Sequence, residues 1–218
     1  MTTLNRSPAK LSSEQVTWQL ASLLLAYPDD ALVSQFPLFR EILTRVPLTQ
    51  SAALRSFMDV AQATPVLDLA AQYVETFDHQ RRCCLYLTYY AHGDTRNRGM
   101  ALLEFKSAFS AAGLELNDGE LPDHLAVVLE FAATIDPAAG RGLLIGHRAG
   151  VELLRLALQD KASPWASVLV AICATLPPLR GDEHKAIGKL ASEGPPSEEV
   201  GLAPFAPPEY MPIREGAR

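Results

Sequence analysis

Apolar residues over positions 1–181 recur three and four apart and do not alternate, a pattern that predicts helices nearly throughout and no sheet. The spacing of Ser12 and Gln15 fits a capping box, so the first helix is predicted to begin near Ser12 and to end at Pro28. The predicted inner face of this helix consists of Val16, Leu20, Leu23, Leu24 and Tyr27. Such a one-sided helix is stable only when that face packs against other elements, which indicates a globular core.

Proline and capping residues divide the next part of the chain. Asp29 or Asp30 is predicted to cap a second helical stretch that ends at Pro47. Pro37 lies within this stretch and must bend it or divide it, because proline cannot donate the helical hydrogen bond. A third helix is predicted to end at Pro65.

The middle of the chain continues the helical pattern. A fourth helix is predicted over residues 66–77, whereas residues 85–90 form a short aromatic segment of ambiguous type. The following helix is predicted to end at Gly113, a favourable residue after a helix C-terminus. Another helix is predicted over residues 123–135, with Pro122 at or near its first turn.

Two more helices complete the predicted domain. A long one is predicted over residues 143–158, although Gly140, Gly142, Gly146 and Gly150 lower its helix propensity. The glycines from Gly146 to Gly150 are interpreted as sites of close helix packing. Ser163 and Pro164 have the order of a cap followed by proline at the first helical position, so the last helix is predicted to begin there. The pattern therefore predicts an all-α fold, a single helical domain of about eight or nine helices over residues 1–181.

The C-terminal part has a different composition. Eight of the 16 prolines lie between Pro177 and Pro212, and the apolar periodicity is lost there. A segment of this composition buries too little apolar surface to offset the entropy of ordering. Residues 182–218 are therefore predicted to form a flexible tail rich in Pro, Gly and Glu.

Composition and charge limit the protein's class and location. The chain of 218 residues has a net charge of −6, which argues against general binding to nucleic acid or to an anionic membrane. No apolar stretch approaches the ~20 residues that span a bilayer, and the N-terminus lacks the apolar region of a signal peptide. The cysteines, Cys83, Cys84 and Cys173, cannot form a complete disulfide framework, which suits a reducing compartment. We therefore expect a cytoplasmic protein.

Motifs for nucleotide, metal or catalytic chemistry are weak or missing. The sequence contains neither a P-loop nor a dinucleotide-binding fingerprint. Ligand-type residues occur at His79, Cys83, Cys84 and His92, but no second Cys/His pair completes a structural metal site, so free thiols and no bound metal are expected.

Two pairs of residues suggest catalysis, and each has a structural explanation. Asp123 is predicted at the start of a helix, where it would accept backbone N–H groups, and His124 caps or packs beside it. Asp94 follows His92 and Gly93 in a predicted turn, where it or the next residue would cap a helix. A helical metal-dependent hydrolase using His92, Asp94, Asp123 and His124 remains the alternative from the enzyme class.

Charge is unevenly distributed along the centre of the chain. Residues 79–114 carry five basic and two acidic side chains, whereas residues 115–136 carry six acidic side chains and no Lys or Arg. One interpretation is that these two stretches pair across the fold. The other is that the acidic stretch borders an apolar helix face that receives a basic amphipathic peptide, a face formed by Leu125, Val128, Leu129 and Ala132. The residues alone leave both interpretations open.

Several strings in this region are specific. They are YVETFD at 73–78, RR at 81–82, LYLTY at 85–89, GDTRNRG at 93–99, ELPDHL at 120–125 and LEF at 129–131. In this order they resemble the NarJ family of nitrate reductase molybdenum cofactor assembly chaperones, within the TorD-like all-helical chaperone class. The resemblance is dense from Tyr73 to about Ala132. Cys83 and Cys84 depart from the family pattern, in which basic or small polar residues are expected.

The resemblance implies a function without catalysis. Such a chaperone binds the apo catalytic (alpha) subunit of a respiratory nitrate reductase, chiefly at its N-terminal segment. It keeps this subunit competent for insertion of the molybdenum guanine dinucleotide cofactor and delays docking to the membrane subunit. It holds no permanent cofactor, contacts no nucleic acid and does not insert into the membrane. A monomer is expected, with a dimer as the alternative.

The resemblance also implies a set of peptide-binding residues. Some would line or shape the groove, the pair at 81–82 keeps the family's basic residues, and residues 120–124 match its acidic-proline-Asp-His motif. The full set is Tyr73, Glu75, Phe77, Asp78, Arg81, Arg82, Tyr86, Leu87, His92, Asp94, Arg98, Glu120, Asp123, His124, Leu125 and Leu129.

Overall fold

A computed structural model describes residues 11–93, 95–115, 121–179, 181, 184–185 and 187–188. Within these residues the chain forms eleven α-helices and two short 3₁₀ helices, Leu43–Arg45 and Arg81–Cys83. The described ranges contain no strand beyond one isolated antiparallel bridge. The α-helices are α1 (Ser13–Leu24), α2 (Asp30–Ser34), α3 (Phe36–Ile42), α4 (Leu48–Ala63), α5 (Val66–Phe77), α6 (Leu87–His92), α7 (Arg96–Ala111), α8 (Leu125–Thr134), α9 (Pro137–Gly146), α10 (Arg148–Asp160) and α11 (Ala166–Cys173). The predicted all-α class is confirmed.

The N-terminal boundary of α1 agrees with the sequence prediction. The Ser12 hydroxyl accepts from the Gln15 backbone at 3.2 Å, and the Gln15 side chain accepts from the Ser12 backbone at 3.0 Å. These reciprocal bonds satisfy two N–H groups that a helix start leaves without a partner. The C-terminal boundary differs, because α1 ends at Leu24 and Tyr27 is 57% exposed. Tyr27 therefore does not belong to the inner face of α1.

The predicted second stretch is two helices. The Asp29 carboxylate accepts from the Leu32 backbone at 2.7 Å and caps α2. Pro37 lies in the first turn of α3, where its missing N–H leaves no intrahelical bond unmade. The prediction that Pro37 bends or divides this stretch is confirmed, and the division adds a helix to the predicted number.

The predicted long helix over residues 143–158 is also two helices, α9 and α10. The break is at His147, whose φ of −103° and ψ of 21° lie outside the helical range. Apolar periodicity did not indicate this break, because Leu144 and Val151 on either side of it both face the core. The predicted number of eight or nine helices was therefore too low.

The core is built on packing between helices distant in sequence. α1 lies along α8 and α11, α4 packs on α11, and α10 contacts both α11 and α6. Trp18 and Trp165 are at the centre, 1% and 0% exposed. The indole of Trp18 donates to the Thr175 hydroxyl at 2.8 Å, and that of Trp165 donates to the Leu24 carbonyl at 3.2 Å. Both large side chains are thus buried with their polar atoms satisfied.

Close packing of α8 and α9 depends on a glycine. A Cβ added to Gly140 would lie 2.4 Å from the Cβ and 2.5 Å from the Cα of Ala132. The prediction that the glycines from Gly146 to Gly150 serve helix packing is confirmed at Gly150, where an added Cβ would lie 3.1 Å from the Tyr90 ring. The prediction is wrong at Gly146, where no atom lies within 4 Å of an added Cβ.

The predicted tail is mostly outside the described residues. Its described positions, 184–185 and 187–188, are helical, and Ile187 is 7% exposed. Ile187 is therefore buried although it lies beyond the predicted boundary at residue 181. Among the helices of the described chain, none combines the length and apolar character that a membrane span requires.

Candidate functional site

Two of the specific sequence strings meet in space. The Leu87 N–H donates to the Asp123 carbonyl at 3.0 Å, and the Leu125 N–H donates to the Leu85 carbonyl at 2.8 Å. These bonds form the isolated bridge between Tyr86 and His124, whose rings are in edge contact with centroids 5.3 Å apart. We call residues 85–88 and 121–125 the motif junction. The junction joins the start of α6 to the start of α8.

Asp123 is the buried centre of the motif junction. Its side chain has no exposed surface, and its Oδ2 accepts from the Thr88 N–H at 3.1 Å and from the Thr88 hydroxyl at 2.5 Å. The prediction that Asp123 caps its own helix was wrong, since the N-cap of α8 is His124 and the carboxylate bonds to α6. Oδ1 of Asp123 is buried without a hydrogen-bond partner.

Arg98 of α7 reaches the same centre. Its Nε donates to the Thr88 hydroxyl at 3.2 Å, and its Nη2 lies 3.9 Å from Oδ2 of Asp123. Its guanidinium carbon lies 5.5 Å from the centroid of the Tyr86 ring, within the range of a cation–π contact. The basic stretch 79–114 and the acidic stretch 115–136 therefore meet at the pair Arg98–Asp123, as the pairing interpretation expects.

The motif string at 73–78 turns its aromatic residues inward. Tyr73 and Phe77 are each 9% exposed and pack with Trp165, with ring centroids 5.6 and 5.4 Å from it. The Tyr73 hydroxyl donates to the Leu25 carbonyl at 3.0 Å. Burial, with a smaller effect of Asp78, raises the pKa of Tyr73 to about 12. Both side chains therefore pack α5 against the core at Trp165.

Glu75 lies on the opposite, exposed face of α5. Its two oxygens bond to His79 Nδ1 at 2.9 Å and Gln80 Nε2 at 3.1 Å. These hydrogen bonds, led by that of His79, lower the pKa of Glu75. The Glu75 side chain is 66% exposed, so this carboxylate is ionised and available to a partner.

Three of the predicted peptide-binding leucines are core residues. Leu87, Leu125 and Leu129 are 1%, 0% and 0% exposed. The apolar stripe that the sequence offered as a docking face is fully buried with them, since Val128 and Ala132 are also 0% exposed. That interpretation was wrong at this stripe, because α1 and α9 cover α8. These side chains cannot contact a peptide directly and can affect a binding surface only through the packing of the helices.

Of the remaining predicted peptide-binding residues, some are exposed, one is partly buried and two lie outside the residues that the structure describes. Asp78, Arg81 and Arg82 are exposed, and the last two lie on the 3₁₀ helix after α5. His92 ends α6 and is partly buried. Asp94 and Glu120 lie outside the described residues. The structure thus brings Tyr86, Leu87, Arg98, Asp123, His124 and Leu125 together at the junction and places Glu75, Asp78, Arg81 and Arg82 on or just after α5.

The hydrolase alternative has no support in the described residues. No group of three or more His, Cys, Asp or Glu side chains among them could hold a metal ion. Asp123 is fully buried and bonds to Thr88, so it is not available as a general base. Burial raises the pKa of the Cys83 thiol and raises that of Cys173 to about 11, which leaves both protonated and unreactive at neutral pH.

Two features of the structure were missed by the sequence prediction. A surface groove of about 400 Å³ lies between α5 and the turn at residues 161–164. The sequence assigned Ser163 in this turn as a helix cap, but the N-cap of α11 is Trp165 and the Ser163 hydroxyl is buried without a partner. The other is His147, which stacks on Phe105 of α7 with ring centroids 4.8 Å apart. No motif marks either, because both depend on contacts between distant segments.

Comparison with known proteins gives the family. The family model described as "Nitrate reductase delta subunit" matches residues 47–171. The nitrate reductase molybdenum cofactor assembly chaperone NarJ of Escherichia coli K12 is 34% identical over 177 residues, covering 80% of this chain and 75% of that protein. The nitrate reductase-like protein NarX of Mycobacterium tuberculosis H37Rv is 43% identical over 161 residues, which is 73% of this chain.

The matches differ in how much of each known protein this chain covers. This chain spans about a quarter (24%) of the length of the M. tuberculosis relative. A crystal structure from Archaeoglobus fulgidus, described as a redox enzyme maturation protein, shares the fold with a TM-score of 0.56. It is 21% identical and the match covers 77% of this chain and 96% of that one. The family model covers more than half of this chain and confirms the resemblance read from the motif strings: the chain belongs to the nitrate reductase delta subunit family.

Proposed function

We propose that this chain is a chaperone for the assembly of a respiratory nitrate reductase. It binds the apo catalytic (alpha) subunit, chiefly at its N-terminal segment, in the cytoplasm. It keeps that subunit competent for insertion of molybdenum guanine dinucleotide and delays docking to the membrane subunit. It has no catalytic activity and no permanent cofactor of its own.

The observation that carries this proposal is the 34% identity to the E. coli assembly chaperone across 75% of that protein's length. The specific strings that suggested the family all lie inside the residues matched by the family model, 47–171. The structure supplies a physical reason for two of these strings, because residues 85–88 and 121–125 hold each other in place at the motif junction.

The surface available to a client peptide is narrower than the predicted set. Tyr73, Phe77 and the three leucines are buried, and the fully exposed members of the set are the carboxylates Glu75 and Asp78 and the basic residues Arg81 and Arg82. A client segment that carries Lys or Arg would be oriented by the two carboxylates. Such exposed charges increase the association rate more than the affinity, and their effect falls with salt.

Reversible binding suits this function. A peptide that orders on docking loses conformational entropy, so the affinity is moderate even when the contact surface is substantial. Moderate affinity allows the client to leave once the cofactor is inserted. We expect a dissociation constant in the micromolar range, which corresponds to roughly −8 kcal/mol.

Calorimetry with the N-terminal peptide of the partner alpha subunit tests the proposal. We expect saturable binding to the full chain, with one peptide per chain. An absence of heat at high micromolar peptide concentration, with protein whose helical circular dichroism is intact, would contradict the proposal. Elemental analysis of the same preparation should find no stoichiometric metal.

A charge reversal tests the contribution of the acidic side chains. Glu75→Lys should weaken peptide binding and reduce its dependence on salt, because an attractive charge becomes a repulsive one. Glu130→Lys is the matched control, since it changes the net charge equally at an exposed position of α8 outside the predicted site. Equal affinity of both variants would show that Glu75 does not contact the client.

A further inference from the structure

Helix α7 lies largely at the surface of the protein. Of its 16 residues, only Phe105 and Phe109 are buried, and the helix packs mainly against α6. Met100 and Leu103 on its outer side are 70% and 49% exposed. Most of the stability of a helix in a protein comes from the packing of its apolar face, so α7 has little of this support.

The N-terminal end of α7 adds little to its stability. The N-cap residue, Thr95, makes no side-chain hydrogen bond to the helix. Arg96 and Arg98 lie in the first turn, where a positive charge opposes the helix dipole, and the exposed Gly99 lowers the helix propensity. Gly113, with a φ of +80°, closes the C-terminal end in the usual way. α7 therefore depends on side-chain contacts with the rest of the protein.

Contacts at the start, middle and end of α7 attach it to other elements. Near its start, Arg98 reaches the motif junction. In its middle, Phe105 stacks on His147 with ring centroids 4.8 Å apart, and near its end Phe109 packs on Phe131 of α8 at 4.4 Å. A single proton can change the contact in the middle, because an imidazole gains a positive charge when it is protonated.

The surroundings of His147 favour its neutral form. The side chain is 10% exposed and lies at the break between α9 and α10. Burial lowers the pKa of His147 from the usual value of 6.5. Glu104 of α7 and Asp123 before α8 oppose this effect, and His92 of α6 adds to it. Glu104 Oε2 lies 3.9 Å from Nε2 of His147, too far for a hydrogen bond. A proton is therefore bound less readily by the buried ring than by an exposed one.

We propose that α7 is a detachable helix and that protonation of His147 releases it. When α7 leaves, His147 loses the Phe105 ring that covers it and binds a proton as readily as an exposed histidine does. The open form therefore binds a proton more tightly than the docked form, so its population increases as the pH falls below about 6.5. Opening uncovers the Phe131 ring on α8 and separates Arg98 from the motif junction.

Hydrogen exchange of the full chain tests this inference, measured by mass spectrometry at pH 7 and pH 5 and corrected for the exchange rates of free amides. We expect the amides of α7 to be less protected than those of α4 at both pH values, since α7 opens without global unfolding. On acidification the protection of α7 should fall several-fold. The limit is about 25-fold, for one proton bound only in the open form with a pKa of ~6.5. Equal protection of α7 and α4 would show that α7 does not open separately and would overturn the proposal.

Two variants identify the group that controls the release of α7. His147→Gln should remove most of the fall in α7 protection between pH 7 and pH 5. Glu104→Gln should enlarge this fall, because it removes a carboxylate that favours the protonated ring in the docked form. His79→Gln and Glu41→Gln make the same changes at exposed positions of other segments and should behave like the parent.

The two variants also give the results that would contradict the proposal. A fall in α7 protection that is as large in His147→Gln as in the parent would overturn it. The Glu104 side chain is 62% exposed, so Glu104→Gln keeps the fold and decides the question if His147→Gln does not fold. A fall of unchanged size in Glu104→Gln would then overturn the proposal.

Discussion

The specific residues of this family divide into those that hold the fold and those that a partner can reach. Asp123 and Thr88 belong to the first kind, since their bonds join α6 to the start of α8 inside the protein. Glu75 and Arg81 belong to the second, at the surface of α5 and of the 3₁₀ helix that follows it. Substitutions at the two kinds should therefore be separated by measuring stability and binding independently.

Asp123→Ala is expected to be strongly destabilising. It leaves the Thr88 N–H and hydroxyl without their acceptor and removes the carboxylate facing Arg98, all in a buried site. We expect a loss of about 2–4 kcal/mol in the free energy of unfolding, measured by urea denaturation. Asp68→Ala, an exposed acidic residue of α5, is the control and should change stability by less than about 0.5 kcal/mol. Equal stability of the two variants would contradict the role given to Asp123.

His147 should make stability depend on pH. Burial lowers its pKa from the usual value of 6.5, although Glu104 and Asp123 oppose this effect. The unfolded chain therefore binds a proton more readily than the folded chain, and stability falls as the pH decreases from about 6.5 towards the lowered pKa. We expect His147→Gln to lose less stability than the parent between pH 7 and pH 5. Parallel pH profiles of the two unfolding midpoints would show that His147 titrates alike in both states.

At the scale of helices, the sequence correctly predicted helix ends that are set by neighbouring residues. It missed helix ends that depend on contacts between distant segments. The bounds of α5 and the capping of α1 and α2 were correct, because proline and capping residues act on their neighbours. The break at His147 and the early end of α1 were missed, since apolar spacing continues across both. At the candidate site, the sequence identified residues 85–88 and 121–125 separately. Their pairing required the packing of helices far apart along the chain.

Gly140 tests the closest helix contact. Gly140→Ala places a Cβ against the Ala132 backbone, so α8 and α9 must separate. We expect a loss of about 2 kcal/mol or more in stability, despite the higher helix propensity of alanine. Gly142→Ala is the matched control on the same helix, with no atom within 4 Å of the added Cβ, and should stabilise by about 0.5–1 kcal/mol. Thermal unfolding followed by circular dichroism distinguishes these opposite signs.

In the molecule as a whole, basic and acidic residues are concentrated in different stretches of the chain, and the net charge does not show this. The net charge of −6 includes a basic stretch at 79–114 and an acidic stretch at 115–136. Their meeting at Arg98 and Asp123 is internal, whereas Glu75 and Lys161 carry opposite charges at the surface groove. This face therefore presents charges of both signs, which would favour one orientation of an approaching charged group over general attraction.

The C-terminal limit of the domain can be tested by two truncations. Ending the chain after Gly188 retains Ile187, and the composition of the residues removed predicts little buried apolar surface, so stability should match that of the full chain. Ending it after Gly181, at the boundary predicted from the sequence, removes Ile187. Exposing the apolar surface that this side chain covers should cost about 1–3 kcal/mol in urea denaturation. Ile187→Ala in the full chain should reproduce most of this loss. If both truncated chains are as stable as the full chain, the domain ends at residue 181, and the contact of Ile187 contributes nothing to stability.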